Sequence, residues 1–289
     1  MPQYELYQKI GLVLFICFGP WLGCQGVHTK IGTEKKFSFP EHFLFQVEDK
    51  STHLILTGGS SQNQKVSFFW DSGSNISFVS DGYLPAHSQK EIWFGKRKEM
   101  ISNLPALIPE AFSGLLGNDF FRQTCIFWIQ TNLYVFSYDS PFCQKPEAYL
   151  GTEIKRFETK KFGDYHYIKF RRESTEEKWA VLDTGASVSI LPKTKTSRSL
   201  GEKKVFQPGG LVSSVFLYES EETLFLAFKS GLWGGYEGLP YLNGISLENL
   251  HLPGEKDKGE VWVVGLDVLR LNPLFWDFTR NQIGILSPK

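Results

Sequence analysis

The sequence lacks an excess of either charge, because 31 lysines and arginines are balanced by 31 aspartates and glutamates. No basic surface is therefore expected to draw the chain to nucleic acid or to an anionic membrane. The sequence also holds no His-Glu-x-x-His, no Cys-x-x-Cys and no Gly-x-Ser-x-Gly, and its six histidines are scattered. We expect no metal, no other cofactor, no serine nucleophile and no nucleic-acid partner.

Cysteine is scarce, with four in 289 residues. Cys17 lies in an N-terminal apolar run and Cys24 follows that run, which leaves Cys125 and Cys143 in the body of the chain. In an exported protein these two could form a disulfide. Alternatively, Cys125 is a buried core thiol, since apolar residues follow it directly. The sequence leaves both interpretations open.

The N-terminal apolar run, residues 11–23, is shorter than a membrane-spanning helix requires. It follows Lys9 and ends in WLGC at Cys24, which is the order of an export signal. The pattern resembles a bacterial lipoprotein signal, in which Cys24 becomes the lipidated membrane anchor; cleavage without lipid and an uncleaved anchor are the alternatives. We expect residues 1–24 to be this signal and 25–40 a tether. The body would then be exported, in the bacterial cell envelope or secreted.

Helical periodicity is scarce as well, and short helices are predicted only at 119–122 and 267–271, capped by Asp119 and Asp267. Apolar residues make up 42% of the chain, which is enough for a packed core. Aromatic residues make up 15%, which favours strands. The predicted class is mostly β, with a turn at residues 57–64.

Two short stretches carry the strongest signal. Residues 68–75 read FFWDSGSN, and residues 180–187 read AVLDTGAS. In each, an apolar strand reached through a hairpin ends at an aspartate, and a hydroxyl residue and a glycine follow. The glycine permits a sharp turn that brings backbone N–H groups near the carboxylate. One such tripeptide is ordinary turn chemistry, so the interpretation depends on there being two.

Each stretch has a matching partner downstream. Residues 113–122 read SGLLGNDFFR and residues 261–270 read VWVVGLDVLR, and with Gly117 placed on Gly265 the match continues without a gap beyond both segments. This is an internal repeat of domain size, which predicts two copies of one unit. The predicted units are an N-terminal lobe at 41–140 with Asp71, a connection at 141–160, and a C-terminal lobe at 161–289 with Asp183.

The paired motifs resemble those of the aspartic peptidases, both pepsin-like and retroviral. In that superfamily each half contributes an apolar-apolar-Asp-Thr/Ser-Gly loop, and an apolar-apolar-Gly segment packs beneath it. The resemblance covers most of residues 50–287. It implies two β-barrel-like lobes related by a pseudo-two-fold axis, with a cleft between them for a peptide or protein substrate. The two copies in one chain imply a monomer.

The resemblance also implies the chemistry. Two carboxylates in one site cannot both ionise cheaply, so Asp71 and Asp183 would share one proton. The ionised member would take a proton from a water, the protonated member would hydrogen-bond the scissile carbonyl, and no covalent intermediate would form. The residues implied to support the two loops are Ser72, Gly73, Ser74, Thr184, Gly185, Ala186, Gly117 and Gly265.

The residue after each motif glycine differs, with Ser74 in one copy and Ala186 in the other. A hydroxyl there can hydrogen-bond the carboxylate and favour its ionised form, whereas alanine cannot. We expect Ala186 to raise the pKa of the carboxylate pair or to make the two aspartates unequal. A mildly acidic to neutral activity optimum would follow.

A hairpin with glycine at its tip follows each motif. Gly95 lies 24 residues past the first aspartate and Gly209 lies 26 past the second (95 − 71 and 209 − 183). The resemblance implies that these hairpins, with Gly210 and Trp93, are flaps that close over a peptide. Trp93 is the nearest aromatic residue where the pepsin-like branch has a tyrosine.

Three interpretations follow from the sequence. The first is an active aspartic endopeptidase, and the second is an inactive member of the same fold that binds peptide or protein. The third is an unrelated exported β protein in which both tripeptides are turns, but this one must treat the repeat as accidental. Replacing each aspartate and measuring cleavage separates them.

Overall fold

The computed structural model describes residues 37–50, 53–61, 64–81, 84–104, 112–172, 177–187, 189, 198–206, 212–219, 224–231, 233–236, 244–245 and 262–286. The predicted signal with Cys24, most of the tether, and the glycines Gly209 and Gly210 lie outside these residues. Strands make up 52% and helices 10%, which confirms the mostly-β class. In the described ranges no helix is long and apolar enough to span a membrane.

The first half of the chain consists of strands and one short helix. They are β1 (Phe43–Asp49), β2 (Leu54–Ser61), β3 (Gln64–Trp70), β4 (Phe78–Val79), β5 (Gln89–Phe94), β6 (Arg97–Asn103), β7 (Gly114–Leu116), α1 (Asn118–Phe121), β8 (Thr124–Ile129) and β9 (Asn132–Ser137).

Two short helices precede the strands of the second half. The elements are α2 (Pro141–Gln144), α3 (Pro146–Leu150), β10 (Ile154–Arg156), β11 (Thr159–Phe162), β12 (Tyr165–Arg172), β13 (Lys178–Leu182), β14 (Arg198–Phe206), β15 (Val212–Glu219), β16 (Leu224–Ala227), β17 (Trp233–Tyr236), β18 (Gly244–Ile245), β19 (Val263–Val264), α4 (Leu266–Leu269), β20 (Leu274–Asp277) and β21 (Gln282–Leu286).

A closed barrel of six strands forms in the first half. Its strands pair in the order β2, β3, β7, β4, β6 and β5, and the pairing of Ser60 with Trp93 returns β5 to β2. Among the aromatic side chains of its strands, Phe68 and Phe94 are fully buried and pack against each other with ring centroids 6.0 Å apart. Closure removes the free sheet edges that an open sheet would expose.

A second structural feature joins the two halves of the chain. The sheet that contains the barrel strands continues through β1, β9 and β8 to β20, β21 and β10. Thus β20, near the end of the chain, pairs antiparallel with β8 of the first half. The same core continues across the halves, where Phe121 stacks on Phe278 at 5.3 Å.

The predicted turn at 57–64 is too long, because β2 continues through Gly58 and Gly59 to Ser61 and the chain reverses only between Ser61 and Gln64. A Cβ added at Gly58 would lie 2.7 Å from the Leu44 carbonyl oxygen, and one at Gly59 would lie 2.8 Å from the Phe94 ring. These glycines therefore allow close packing of β2 against β1 and against Phe94 of β5, and the register of β2 with β3 shifts at this point.

The segment predicted as a connection, 141–160, contains α2, α3 and β10. Ser140 caps α2 by accepting a hydrogen bond from the Phe142 N–H, and Pro141 opens the helix. Cys125 of β8 and Cys143 of α2 form a disulfide with an S–S distance of 2.03 Å. The short helix is thereby attached covalently to the sheet.

Candidate active site

Each motif aspartate follows the end of a buried strand. β3 runs parallel to β7, and the Asp71 N–H donates to the Leu116 carbonyl at 3.0 Å. β13 runs parallel to β19, and the Asp183 N–H donates to the Val264 carbonyl at 3.0 Å. The apolar-apolar-Gly segments therefore lie beside the aspartate strands in both halves of the chain.

The hydroxyl residues of the two loops bond across to each other. The Ser72 N–H donates to Thr184 Oγ1 at 2.9 Å, and the Thr184 N–H donates to Ser72 Oγ at 2.9 Å. Each hydroxyl then donates to the opposite strand, Ser72 to the Leu182 carbonyl at 2.9 Å and Thr184 to the Trp70 carbonyl at 3.0 Å. These four bonds fix the position of one loop against the other.

The motif glycines bring the two carboxylates together. The Gly73 N–H donates to Asp71 Oδ1 and the Gly185 N–H to Asp183 Oδ1, both at 2.8 Å. A Cβ added at Gly73 would lie 2.5 Å from the Asp183 carboxyl group, and one at Gly185 would lie 2.7 Å from that of Asp71. Each carboxyl group thus lies against the glycine of the opposite loop, where no other residue fits.

Both carboxyl groups are fully buried. Burial raises the pKa of Asp71 well above its usual range, and the charge of Asp183 raises it further. Burial also raises the pKa of Asp183, to about 6. Hydrogen bonds that Asp183 makes with Asp71 and with backbone N–H groups lower this pKa, but the effect of burial is larger. Two adjacent carboxyl groups that both resist ionisation hold a proton together, so their titration belongs to the pair.

One oxygen of each carboxyl group is unused by the protein. Among the described residues, Asp71 Oδ2 and Asp183 Oδ2 are buried and have no hydrogen-bond partner. Buried polar atoms nearly always have a hydrogen-bond partner. Two buried carboxyl oxygens without one therefore indicate a site at which a ligand supplies the missing hydrogen bonds. The motif loops therefore bond Oδ1 of each carboxyl group and leave Oδ2 without a partner among the described residues.

Asp119 and Asp267 each accept a bond from an N–H of their short helix, as predicted, but neither occupies the N-cap position. The N-caps of α1 and α4 are Gly117 and Gly265, and neither makes a side-chain capping bond. Asp119 Oδ1 accepts a bond from the Phe120 N–H within α1 at 2.8 Å, and the same carboxylate accepts bonds from the Ser77 N–H at 2.9 Å and from the Ser77 hydroxyl. Ser77 Oγ in turn accepts a bond from the Gly117 N–H at 2.9 Å.

The second half repeats this arrangement. Asp267 accepts bonds from the Ser189 N–H at 3.0 Å and the Ser189 hydroxyl at 2.7 Å, and Ser189 Oγ accepts from the Gly265 N–H at 3.1 Å. The sequence analysis missed both serines. Their signal was their register, since each lies six residues past its aspartate (77 − 71 and 189 − 183).

The expected effect of Ser74 is not found. Its hydroxyl donates to the Ile76 carbonyl at 3.0 Å instead of to a carboxylate. The backbone N–H groups of Ser74 and Ala186 both act on the adjacent carboxyl groups and lower their pKa values. The backbone N–H lowers the carboxyl pKa in both loops. The difference between the serine and the alanine side chain therefore does not make the pKa values of the two aspartates unequal.

The hairpin of β5 and β6 has Gly95 at its tip, in the left-handed region with φ of 62°, as predicted. The tip packs on β1: a Cβ at Gly95 would meet Phe43, and the adjacent Lys96 pairs with Glu41 at 2.9 Å. Trp93 is 42% exposed and donates to Glu91. These contacts give no support to a flap over the carboxylates, so that role stays a prediction.

Asn118 makes hydrogen bonds beside the carboxylate pair that the sequence analysis did not predict. Its side-chain N–H₂ donates to the Ser72 carbonyl at 2.7 Å and to the Asp164 carbonyl at 2.9 Å, so it joins the first loop to the second half. The repeat places Leu266 at the matching position. The two sides of the carboxylate pair therefore differ in chemistry.

No group of three histidine, cysteine, aspartate or glutamate side chains lies close enough to hold a metal ion in the described part of the chain. A comparison of the chain with protein-family models and with curated proteins finds no match in either set.

Proposed function

We propose that this protein is an aspartic-type endopeptidase that hydrolyses peptide bonds with Asp71 and Asp183. The observation that carries the proposal is the pair of buried carboxyl groups, each held against the glycine of the other loop. Four hydrogen bonds through Ser72 and Thr184 fix their relative position. Such preorganisation is what a two-carboxylate reaction needs.

In the proposed mechanism the pair holds one proton. The ionised carboxylate takes a proton from a water bound between the two Oδ2 atoms, and the water attacks the scissile carbonyl. The protonated carboxyl group donates a hydrogen bond to that carbonyl oxygen as negative charge develops on it. The raised pKa values of both groups keep a proton on the pair at mildly acidic pH. The proton taken from the water then passes to the peptide nitrogen as the C–N bond breaks and the amine leaves. No acyl-enzyme forms, because the nucleophile is water.

We further propose two lobes related by a pseudo-two-fold axis, with a substrate cleft along it, in a monomer. The matched hydrogen bonds of the two halves support this: each aspartate N–H, each motif glycine and each supporting serine makes the same bond in both. The strands β20 and β21 belong by sequence to the second lobe but pair with strands outside it. That shared sheet would hold the lobes together.

Export remains part of the proposal, with Cys24 as a lipidation site and the membrane reached through the attached lipid. The disulfide between Cys125 and Cys143 supports it, since such bonds persist in oxidising compartments. Mass spectrometry of the mature N-terminus tests it. A diacylglyceryl-modified Cys24 is the expected result, and an unmodified cysteine within an intact N-terminus would refute it.

The test of the peptidase is cleavage of a mixed peptide library by the purified protein from pH 3 to 8. The expected result is cleavage that a statine-type inhibitor blocks and that Asp71→Asn and Asp183→Asn each abolish. Asp139→Asn is the matched control, because Asp139 is an exposed carboxylate away from the site. Cleavage that survives either dyad substitution, or that is lost equally in the control, would refute the assignment.

A second candidate function is a member of this fold that binds peptide without cleaving it. Its supporting observation is that both carboxyl groups are 0% exposed, so the described conformation offers a substrate no direct access to them. Saturable binding of an intact library peptide by folded protein, with no cleavage at any pH, would favour it over the peptidase.

A further inference from the structure

Tyr165, the first residue of β12, has a buried hydroxyl that the protein does not use. The residue is 2% exposed, and its Oη has no hydrogen-bond partner among the described residues. A tyrosine hydroxyl buried in this way usually has a partner, and leaving it without one costs free energy. The position therefore indicates either a packing accident or a contact that a ligand supplies.

The backbone beside Tyr165 is held close to the first catalytic loop. The Asp164 carbonyl and the Ser72 carbonyl accept hydrogen bonds from the same side-chain nitrogen of Asn118. The Asp164 carboxylate also pairs with Arg122 at 2.7 Å. Two independent contacts thus fix the start of β12 relative to Asp71, even though the two lie far apart in sequence.

The surroundings of the hydroxyl are those of the carboxylate pair. Burial raises the pKa of Tyr165 most, and the charges of Asp71, Tyr167, Asp183 and Asp164 raise it further, in that order of size. The hydroxyl consequently stays protonated throughout the range in which the pair titrates. It is a permanent hydrogen-bond donor that interacts electrostatically with two carboxyl groups, and the Oδ2 atoms of these groups also lack partners among the described residues.

The first half has no such donor at the matching position. Strand pairing places Tyr167 opposite Val181 and Ile55 opposite Phe69, which puts His53 in the place of Tyr165. The His53 ring packs on Phe69 at 4.8 Å. A peptide bound across the pair would therefore meet a buried hydroxyl donor from the second half alone.

We propose that Tyr165 is a substrate-binding residue, whose hydroxyl donates a hydrogen bond to a backbone carbonyl oxygen of the peptide held against Asp71 and Asp183. The inference rests on the proposed function and adds that the peptide binds in one fixed orientation. A peptide chain has a carbonyl at every residue, so one donor on one side orients the substrate without demanding a particular side chain.

The experiment compares Tyr165→Phe with Tyr167→Phe in the full chain. Tyr167 lies on the same strand, is 3% exposed, and carries Lys160 over its ring at 5.1 Å. Loss of one hydrogen bond to substrate predicts about a tenfold fall in kcat/KM for Tyr165→Phe, and no change for Tyr167→Phe. Because the lost hydroxyl is unpaired, the midpoint of urea unfolding of Tyr165→Phe should not fall.

A scan with thioamide peptides identifies the carbonyl, since sulfur accepts hydrogen bonds poorly. At one substrate position the thioamide should weaken cleavage by the wild type and leave Tyr165→Phe unaffected. Cleavage by the wild type with an unchanged kcat/KM in Tyr165→Phe overturns this proposal alone, and so does a variant that merely unfolds more easily. If the wild type binds the statine-type inhibitor without cleaving peptide, the same tenfold loss is expected in affinity. A wild type that neither cleaves nor binds overturns both proposals.

Discussion

The buried carboxylate pair should make the protein less stable as the pH rises, and Asp183→Asn should remove that penalty. Asparagine resembles the protonated carboxyl group in shape and can still accept the Gly185 N–H bond. The substitution is therefore expected to abolish the proposed peptidase activity while increasing the free energy of unfolding at neutral pH. A residue whose replacement stabilises the fold and abolishes activity is retained for function.

The magnitude follows from the pKa of Asp183, which is raised from an ordinary 3.8 to about 6. A group with a raised pKa in the folded state stabilises the fold below its unfolded pKa, and this stability is lost as the pH rises through the folded pKa. A rise of this size corresponds to about 3 kcal/mol. The variant should thus match the wild type near pH 3.5 and exceed it by about 3 kcal/mol above pH 7. Relief of Asp71, whose pKa the Asp183 charge raises, acts in the same direction.

The assay is urea unfolding of wild type and variant at intervals from pH 3.5 to 8, followed by fluorescence of the buried Trp70 and Trp276. Only the difference between the two proteins is interpreted, because other titrating groups cancel in it. Asp139→Asn, at an exposed carboxylate, should give a difference that does not change with pH.

A flat difference between Asp183→Asn and wild type across this range would refute the reasoning, because the carboxyl groups would then not be held in an environment that resists charge. A difference that falls as the pH rises would contradict the sign, and would mean that Asp183 is stabilised as an anion by groups other than those described.

Three further predictions concern the surrounding structure. Thr184→Val removes the hydrogen-bond partners of two buried backbone groups, so urea unfolding should show that the free energy of unfolding falls by about 3 kcal/mol. Thr184→Ser keeps the hydroxyl and should keep most of the wild-type stability. Cys143→Ser opens the disulfide, whose sequence separation is 18, and should cost about 3 kcal/mol; dithiothreitol should lower the unfolding midpoint of the wild type and not of the variant. Burial lowers the pKa of His166 to about 4, so the unfolded chain binds the proton more readily than the folded protein does. The free energy of unfolding should therefore decrease as the pH falls from 6.5 towards 4. His166→Gln should abolish this loss of about 3 kcal/mol, and an unchanged acid slope between pH 7.5 and 4.5 would contradict it.

The sequence was informative where a structural constraint is local. The strands that end at Asp71 and Asp183 follow from apolar runs before a turn, and the short helices after Gly117 and Gly265 lie within a residue of their predicted start. The glycine at the Gly95 tip follows from turn chemistry. In each case the residues that decide the structure are neighbours in the chain.

Contacts between distant residues could not be predicted in the same way. Asp119 looked like a helix cap, and only the fold brings it to Ser77, 42 residues away. Asn118 joins Ser72 to Asp164 through bonds that no pattern predicts. The helix α2 is a different case, because Ser140 followed by Pro141 is a readable start signal that the sequence analysis did not use.

The pairing of β20 with β8 has a consequence for biosynthesis. Leu274 lies opposite Trp128, 146 residues earlier (274 − 128), so β8 cannot complete its sheet until residues 274–277 have left the ribosome. Pairings of such long range form late and slowly. During synthesis both aspartate loops therefore exist before the sheet that joins the two halves of the chain can form.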